Sequence, residues 1–204
     1  MADEASALDI QAIAEGADEL HEASQAIQKV HRTDALPRVP VVLDSNVQGH
    51  GYYDHRAGQP VAIGVHPQSQ HKGLTLCHEV GHLIDHQAFT PGIFASAASD
   101  DSASKLFSWR QAVDSSLSIR RLRALANNPI AKATVSYYLQ PKETFGRSYA
   151  QYIVTRSGDV RLGEQLDRIR NSKDLVQWTY WTDEDFSAIA DALDAIFEDL
   201  GWKQ

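Results

Sequence analysis

Cysteine is almost absent from this chain: Cys77 is the single one among 204 residues. One thiol excludes an internal disulfide framework and suits a reducing compartment. Long apolar runs are missing too. None approaches the roughly 20 residues needed to cross a bilayer, so no membrane partner is expected. Basic charge is in deficit, with 19 Lys and Arg against 27 Asp and Glu and a net charge of -8. That balance argues against a nucleic-acid backbone as a partner, and the basic run Arg120-Arg121-Arg123 reads as the solvated face of a helix. Met1-Ala2-Asp3-Glu4 lacks the basic start and apolar block of a secretory signal. The expected location is the cytoplasm of the producing cell, with delivery to another cell or compartment left open.

The rest of the composition is ordinary. Hydrophobic residues make up 43% and charged residues 23%, enough for one domain with a substantial core. The patterning predicts an α+β fold, mostly helical, with a small β-sheet packed on a central helix. Residues 6–31 read as an amphipathic helix, with Leu8, Ile13, Ala17, Leu20, Ala23, Ile27 and Val30 at helical spacing. The N-terminal segment 1–36 is expected to brace the remainder, 37–204. Residues 39–43 and 61–65 are short β-prone runs, and 49–54 between them reads as a turn. A helix over 73–88 stops at Thr90-Pro91-Gly92. Small polar residues over 95–104 read as a linker within a mobile loop, 90–104. Further helices are expected over 104–126, over 141–158 with Pro141 in the first turn, and over 161–170. A last one is capped by Thr182 and ended by Gly201.

The helix over 73–88 carries His78-Glu79-Val80-Gly81-His82. Its two imidazoles, at i and i+4, share one helix face and can reach one cation. Glu79 lies beside them, positioned to act on a metal-bound water, which makes this the sequence form of a zinc-hydrolase site. Such a motif arises by chance on the order of one or two times per hundred chains this rich in histidine. A third ligand therefore has to be found. The common extended zincin motif would put it at Ala88, which cannot ligate. His86 would make three ligands span more than about 10 Å along one helix, too far for one ion. Cys77 sits about 100° around the helix from His78, so its thiol points away from the ligand face and it reads as core. A carboxylate on a second helix is the better answer, and Pro141-Lys142-Glu143-Thr144-Phe145-Gly146-Arg147 supplies it. Phe145, Tyr149, Tyr152 and Ile153 form the apolar face of that helix, and Gly146 permits close approach of the two helices. Taken alone, Glu143 also fits a first-turn glutamate favoured by the helix dipole.

Together, His-Glu-x-Gly-His-x-x-Asp from His78 to Asp85 and Glu-x-Phe-x-x-x-Tyr from Glu143 to Tyr149 resemble one known family. It is the zinc-peptidase domain of anthrax lethal factor and its bacterial and phage-associated relatives, zincins whose third ligand is glutamate. The resemblance spans roughly Val39 to Tyr152. It implies Zn2+ held by His78, His82 and Glu143, with Glu79 as general base. It also implies a tyrosine shortly before the third ligand, donating to the developing oxyanion. The family's tyrosine position falls on Ser136 here, which leaves Tyr137 and Tyr138 as alternatives. Many relatives carry a second acid one turn after the ligand. This chain has Arg147 there, expected to pair with Asp85 as support around the metal. The expected activity is that of a zinc-dependent endopeptidase using a metal-activated water, with its peptide or protein substrate extended along an edge strand at 61–65. Two other readings are an intracellular repressor-cleaving zinc peptidase of a mobile element, and a non-catalytic zincin-like binding or structural module.

Overall fold

The computed structural model describes residues 8–10 and 17–203. The fold is α+β and mostly helical, as the patterning indicates. Its strands are β1 (Leu8–Ile10), β2 (Val39–Leu43), β3 (Gly51–Arg56) and β4 (Gln59–Val65), in the spatial order β1-β2-β4-β3. The helices are α1 (Ala17–Val30), α2 (Lys72–Gln87), α3 (Phe107–Ser115), α4 (Leu117–Leu125), α5 (Lys132–Tyr138), α6 (Pro141–Ser157), α7 (Val160–Arg170) and α8 (Asp183–Asp199). Among the described residues no helix is long and apolar enough to cross a membrane.

β1, β2 and β4 run parallel, and β3 returns antiparallel to β4. Three expectations change here. Leu8 lies in a strand rather than in the first turn of a helix, because pairing with β2 (Leu8 opposite Val39) supplies backbone partners. Ile13 lies outside the described residues. The stretch read as a turn at 49–54 is largely strand β3. A two-residue turn closes the β3–β4 hairpin, with Ala57 and Gly58 both at positive φ (49° and 78°), whose twist suits the flanking strands. Finally, the strand at 61–65 is not an edge. β4 is hydrogen-bonded to β2 on one side and β3 on the other, so the edges of the described sheet are β1 and β3.

The motif helix α2 lies against this sheet and against α6. Leu76, Val80, Leu83 and Ile84 on α2 are fully buried with Phe145, Tyr149, Tyr152 and Ile153 on α6. Cys77 joins that core, and burial pushes its thiol well above the ordinary range. α1 packs into the same core, with Leu20, Ala23 and Ile27 completely buried. At its end His31 stacks on Phe197 and Trp202, with ring centroids 4.7 and 5.6 Å away.

Two helical expectations also change. The helix predicted over 104–126 is two, broken at Ser116, whose extended backbone (ψ 149°) and side chain cap α4. Asp185 on α8 completes that cap by accepting from the Leu117 and Ser118 amides at 2.7 and 3.0 Å. The segment read as a mobile loop contains a 3-10 turn, Ala95–Ala98, anchored by the buried Ser96. Arg120, Arg121 and Arg123 lie on the exposed face of α4 as expected.

Candidate metal centre

The closest approach of α2 and α6 lies beneath the His-Glu-x-x-His motif, and glycine makes it possible. A Cβ on Gly81 would fall 2.9 Å from Gly146 Cα, and one on Gly146 would fall 2.8 Å from His78 Cε1. With hydrogen at both positions, Glu143 one turn earlier on α6 reaches the histidine pair. Glu143 Oε2 lies 3.4 Å from His78 Nε2, and Oε1 lies 3.7 Å from His82 Nε2. Ligand atoms of all three residues lie within 4.8 Å of one another. An ion that holds its donors about 2.1 Å away in a tetrahedron separates them by about 3.4 Å, so the cluster is nearly at ligating geometry.

The electrostatics agree. Burial lowers both imidazoles, His82 to about 3, helped by the neighbouring His78. Both are therefore neutral near pH 7, each with a lone pair to give. Burial alone would raise Glu143, but the His78 ring, then His82 and the Tyr137 hydroxyl, favour its ionised form and hold it down at about 2. An ionised carboxylate aimed at two imidazole nitrogens favours a cation among them, in place of the proton that His78 shares with Glu143. Two nitrogens and one carboxylate oxygen also match the donor set of a three-ligand zinc site. His82 Nδ1 is buried and has no partner among the described residues.

Glu79 faces the same space, and burial followed by the charge of Glu143 raises its carboxyl to about 8. Strand β3 leaves room for it: a Cβ on Gly51 would come within 3.2 Å of Glu79 Oε1. Of the two tyrosines, Tyr137 reaches the cluster, its hydroxyl donating to Glu143 Oε2 at 2.9 Å. Tyr138 turns elsewhere. Its carbonyl accepts from Arg147, and its ring lies 5.6 Å beneath the same guanidinium.

The expected Asp85–Arg147 pair is not formed. Asp85 accepts instead from the Ser96 amide at 2.7 Å and the Ser96 hydroxyl at 2.6 Å. Those two donors satisfy it, while Arg147 reaches across α6 to the end of α5. Asp85 therefore fixes the 3-10 turn beside the cluster, and Arg147 fixes the turn that carries Tyr137.

Comparison of the chain with protein-family models, with curated proteins and with solved structures finds no match. The reading of the site rests on its own geometry.

Residues that sequence reasoning missed frame the cluster. Gly51 lies against Glu79 on the sheet side, and Phe94 stands 6.4 Å from the His82 ring, nearly perpendicular to it at 87°. A glycine directly before the β-prone pair Tyr52-Tyr53 is the available signal for Gly51. Nothing local marks Phe94, because tertiary folding after α2 brings it back.

Proposed function

We propose that this chain is a zinc-dependent endopeptidase of the zincin type with a glutamate ligand, acting on an extended peptide or protein segment. One observation carries the reading. His78, His82 and Glu143, from two helices far apart in sequence, converge within 4.8 Å with a carboxylate, Glu79, beside them.

In this reading His78 Nε2, His82 Nε2 and Glu143 hold the metal. When bound, zinc supplies a Lewis acid that polarises the scissile carbonyl and acidifies water. Glu79 accepts a proton at its carboxylate from the attacking water as the new C–O bond forms. It then delivers that proton to the leaving nitrogen as the C–N bond breaks. Its buried setting, which raises its affinity for protons, suits a group that must both take and return one near neutral pH. Tyr137 is the donor for the oxyanion, moving its hydroxyl from Glu143 to the former carbonyl oxygen.

Strand β3 supplies the substrate edge. His66 donates its amide to the His50 carbonyl, and bonded pairs alternate along an antiparallel ladder. Gly51 and Tyr53 therefore turn their N–H and C=O groups to the free edge, beside Glu79, where an added strand can pair with them. The structural-module alternative is less well supported. A structural zinc site closes its coordination with four protein ligands and has no use for a buried carboxylate left without a partner.

The experiment is cleavage of a peptide library by the zinc-loaded chain. Wild type is expected to cut, with chelator abolishing cleavage and Glu79→Gln abolishing it without zinc loss. Turnover retained by Glu79→Gln would defeat the assignment.

A further inference from the structure

We propose that the ring cluster of His55, His86 and Phe94, rimmed by Lys142, is a subsite that selects an acidic residue of the peptide substrate. The inference rests on the peptidase reading and deepens it by naming a substrate class. The cluster is continuous with the candidate metal centre, through Phe94 against His82.

Its parts are built together. Gly51, Tyr53 and His55 alternate onto the face of β3 that meets α2. His55 lies over His86 with centroids 4.4 Å apart, and Phe94 packs on His86 at 4.8 Å and on His55 at 5.5 Å. His86 is held in place at Nδ1, which accepts from the Tyr53 hydroxyl and the Gln87 amide, both at 2.9 Å. Two donors at Nδ1 place the ring proton on Nε2. His55 is exposed and Phe94 half-buried, so the cluster opens outward.

Charge decides what it takes. The chain as a whole is at -8, yet this rim is locally basic. The exposed Lys142 ammonium lies 5.7 Å from the Phe94 centroid, and among the described residues no carboxylate pairs with it. Its charge is felt at Glu79, His82 and Asp85. The buried Asp85, which feels this ammonium, is already satisfied by Ser96. A substrate carboxylate here meets an unpaired ammonium and the exposed His55 ring, the buried His86 serving only as its backing, whereas a substrate lysine meets like charge. With antiparallel pairing, the more stable kind per residue, the substrate's N-terminal side runs toward His55. From Gly51 to His55 is about 13 Å along the strand. That puts the acidic residue about four positions N-terminal to the substrate residue that pairs with Gly51.

The test uses the zinc-loaded Glu79→Gln chain and fluorescein-labelled heptapeptides that carry Glu, Gln or Lys at one scanned position. At the position that meets the cluster, Glu peptides are expected to bind about fivefold more tightly than Gln peptides. Lys142→Arg should keep that preference, and Lys142→Glu should turn it toward Lys. A Glu preference that survives Lys142→Glu, or no position at which charge matters, overturns the subsite. Cleavage by wild type is scored separately. Cleavage without a Glu preference sinks the subsite and leaves the peptidase reading standing. Charge-dependent binding without cleavage sinks the peptidase reading and leaves the subsite.

Discussion

Gly146 lies against the ring of His78, so close that a Cβ at position 146 would fall 2.8 Å from Cε1 and 3.1 Å from Nε2. The ring is rigid and its nitrogen is a ligand, so the clash cannot be relieved without moving the metal site. Gly146→Ala is expected to weaken zinc binding by about tenfold, comparable to the loss of a supporting contact. Gly163→Ala is the control. Position 163, inside α7, has open space around it, and that variant should gain about 0.5–1 kcal/mol from helix propensity with zinc affinity unchanged. Zinc titration alongside thermal melts of both variants separates the two effects.

Tyr137 and Tyr138 give a second paired test. Removing the Tyr137 hydroxyl takes away the donor that now rests 2.9 Å from Glu143 Oε2. Tyr137→Phe is expected to lower kcat about a hundredfold with KM and zinc content nearly unchanged. Tyr138→Phe keeps the carbonyl that holds Arg147 and should leave kcat close to wild type. A larger loss from Tyr138→Phe would reassign the oxyanion donor.

His31 makes stability depend on pH. It is fully buried, with Nδ1 against the Arg32 carbonyl at 3.0 Å and Nε2 against the Tyr149 hydroxyl at 2.8 Å. Burial lowers its pKa from 6.5 to about 4, against the opposing pull of the Arg32 carbonyl. Between those values the unfolded chain binds a proton that the folded chain refuses. Its stabilising contribution is therefore complete above pH 6.5 and lost as pH falls toward 4, by roughly 3 kcal/mol. Urea melts of wild type and His31→Gln should differ by an amount that shrinks by about that much over this range. A pH-independent difference would contradict the burial argument.

The elements that carry the site were legible because their signals are local. α2, α6 and α8 each show an apolar face at helical spacing. Their ends are marked by Gly158 in the left-handed conformation (φ 64°) and by Thr182, whose side chain accepts from Asp185 N. What sequence hid depends on distant partners. β3 reads as a turn because Gly49, Gly51 and Asp54 flank its tyrosines. Tyr52 lies across Gly64 so closely that a Cβ there would come within 2.2 Å of its ring, and Tyr53 bonds to His86. The break at Ser116 was masked because Leu117 and Leu122 continue the helical spacing, and its completing cap comes from α8. The Asp85–Arg147 pair failed for a similar reason. Ser96, in a stretch that reads as structureless, folds back and satisfies Asp85 first.

The central claim is that Glu143, from a helix distant in sequence, completes a metal site begun by His78 and His82. Zinc content after dialysis against a buffered trace of the ion tests it most directly, comparing wild type, Glu79→Gln and Glu143→Ala. The account predicts a full equivalent of zinc in the first two and a loss of affinity well beyond about a hundredfold in the third. Full zinc retention by a folded Glu143→Ala chain would contradict it.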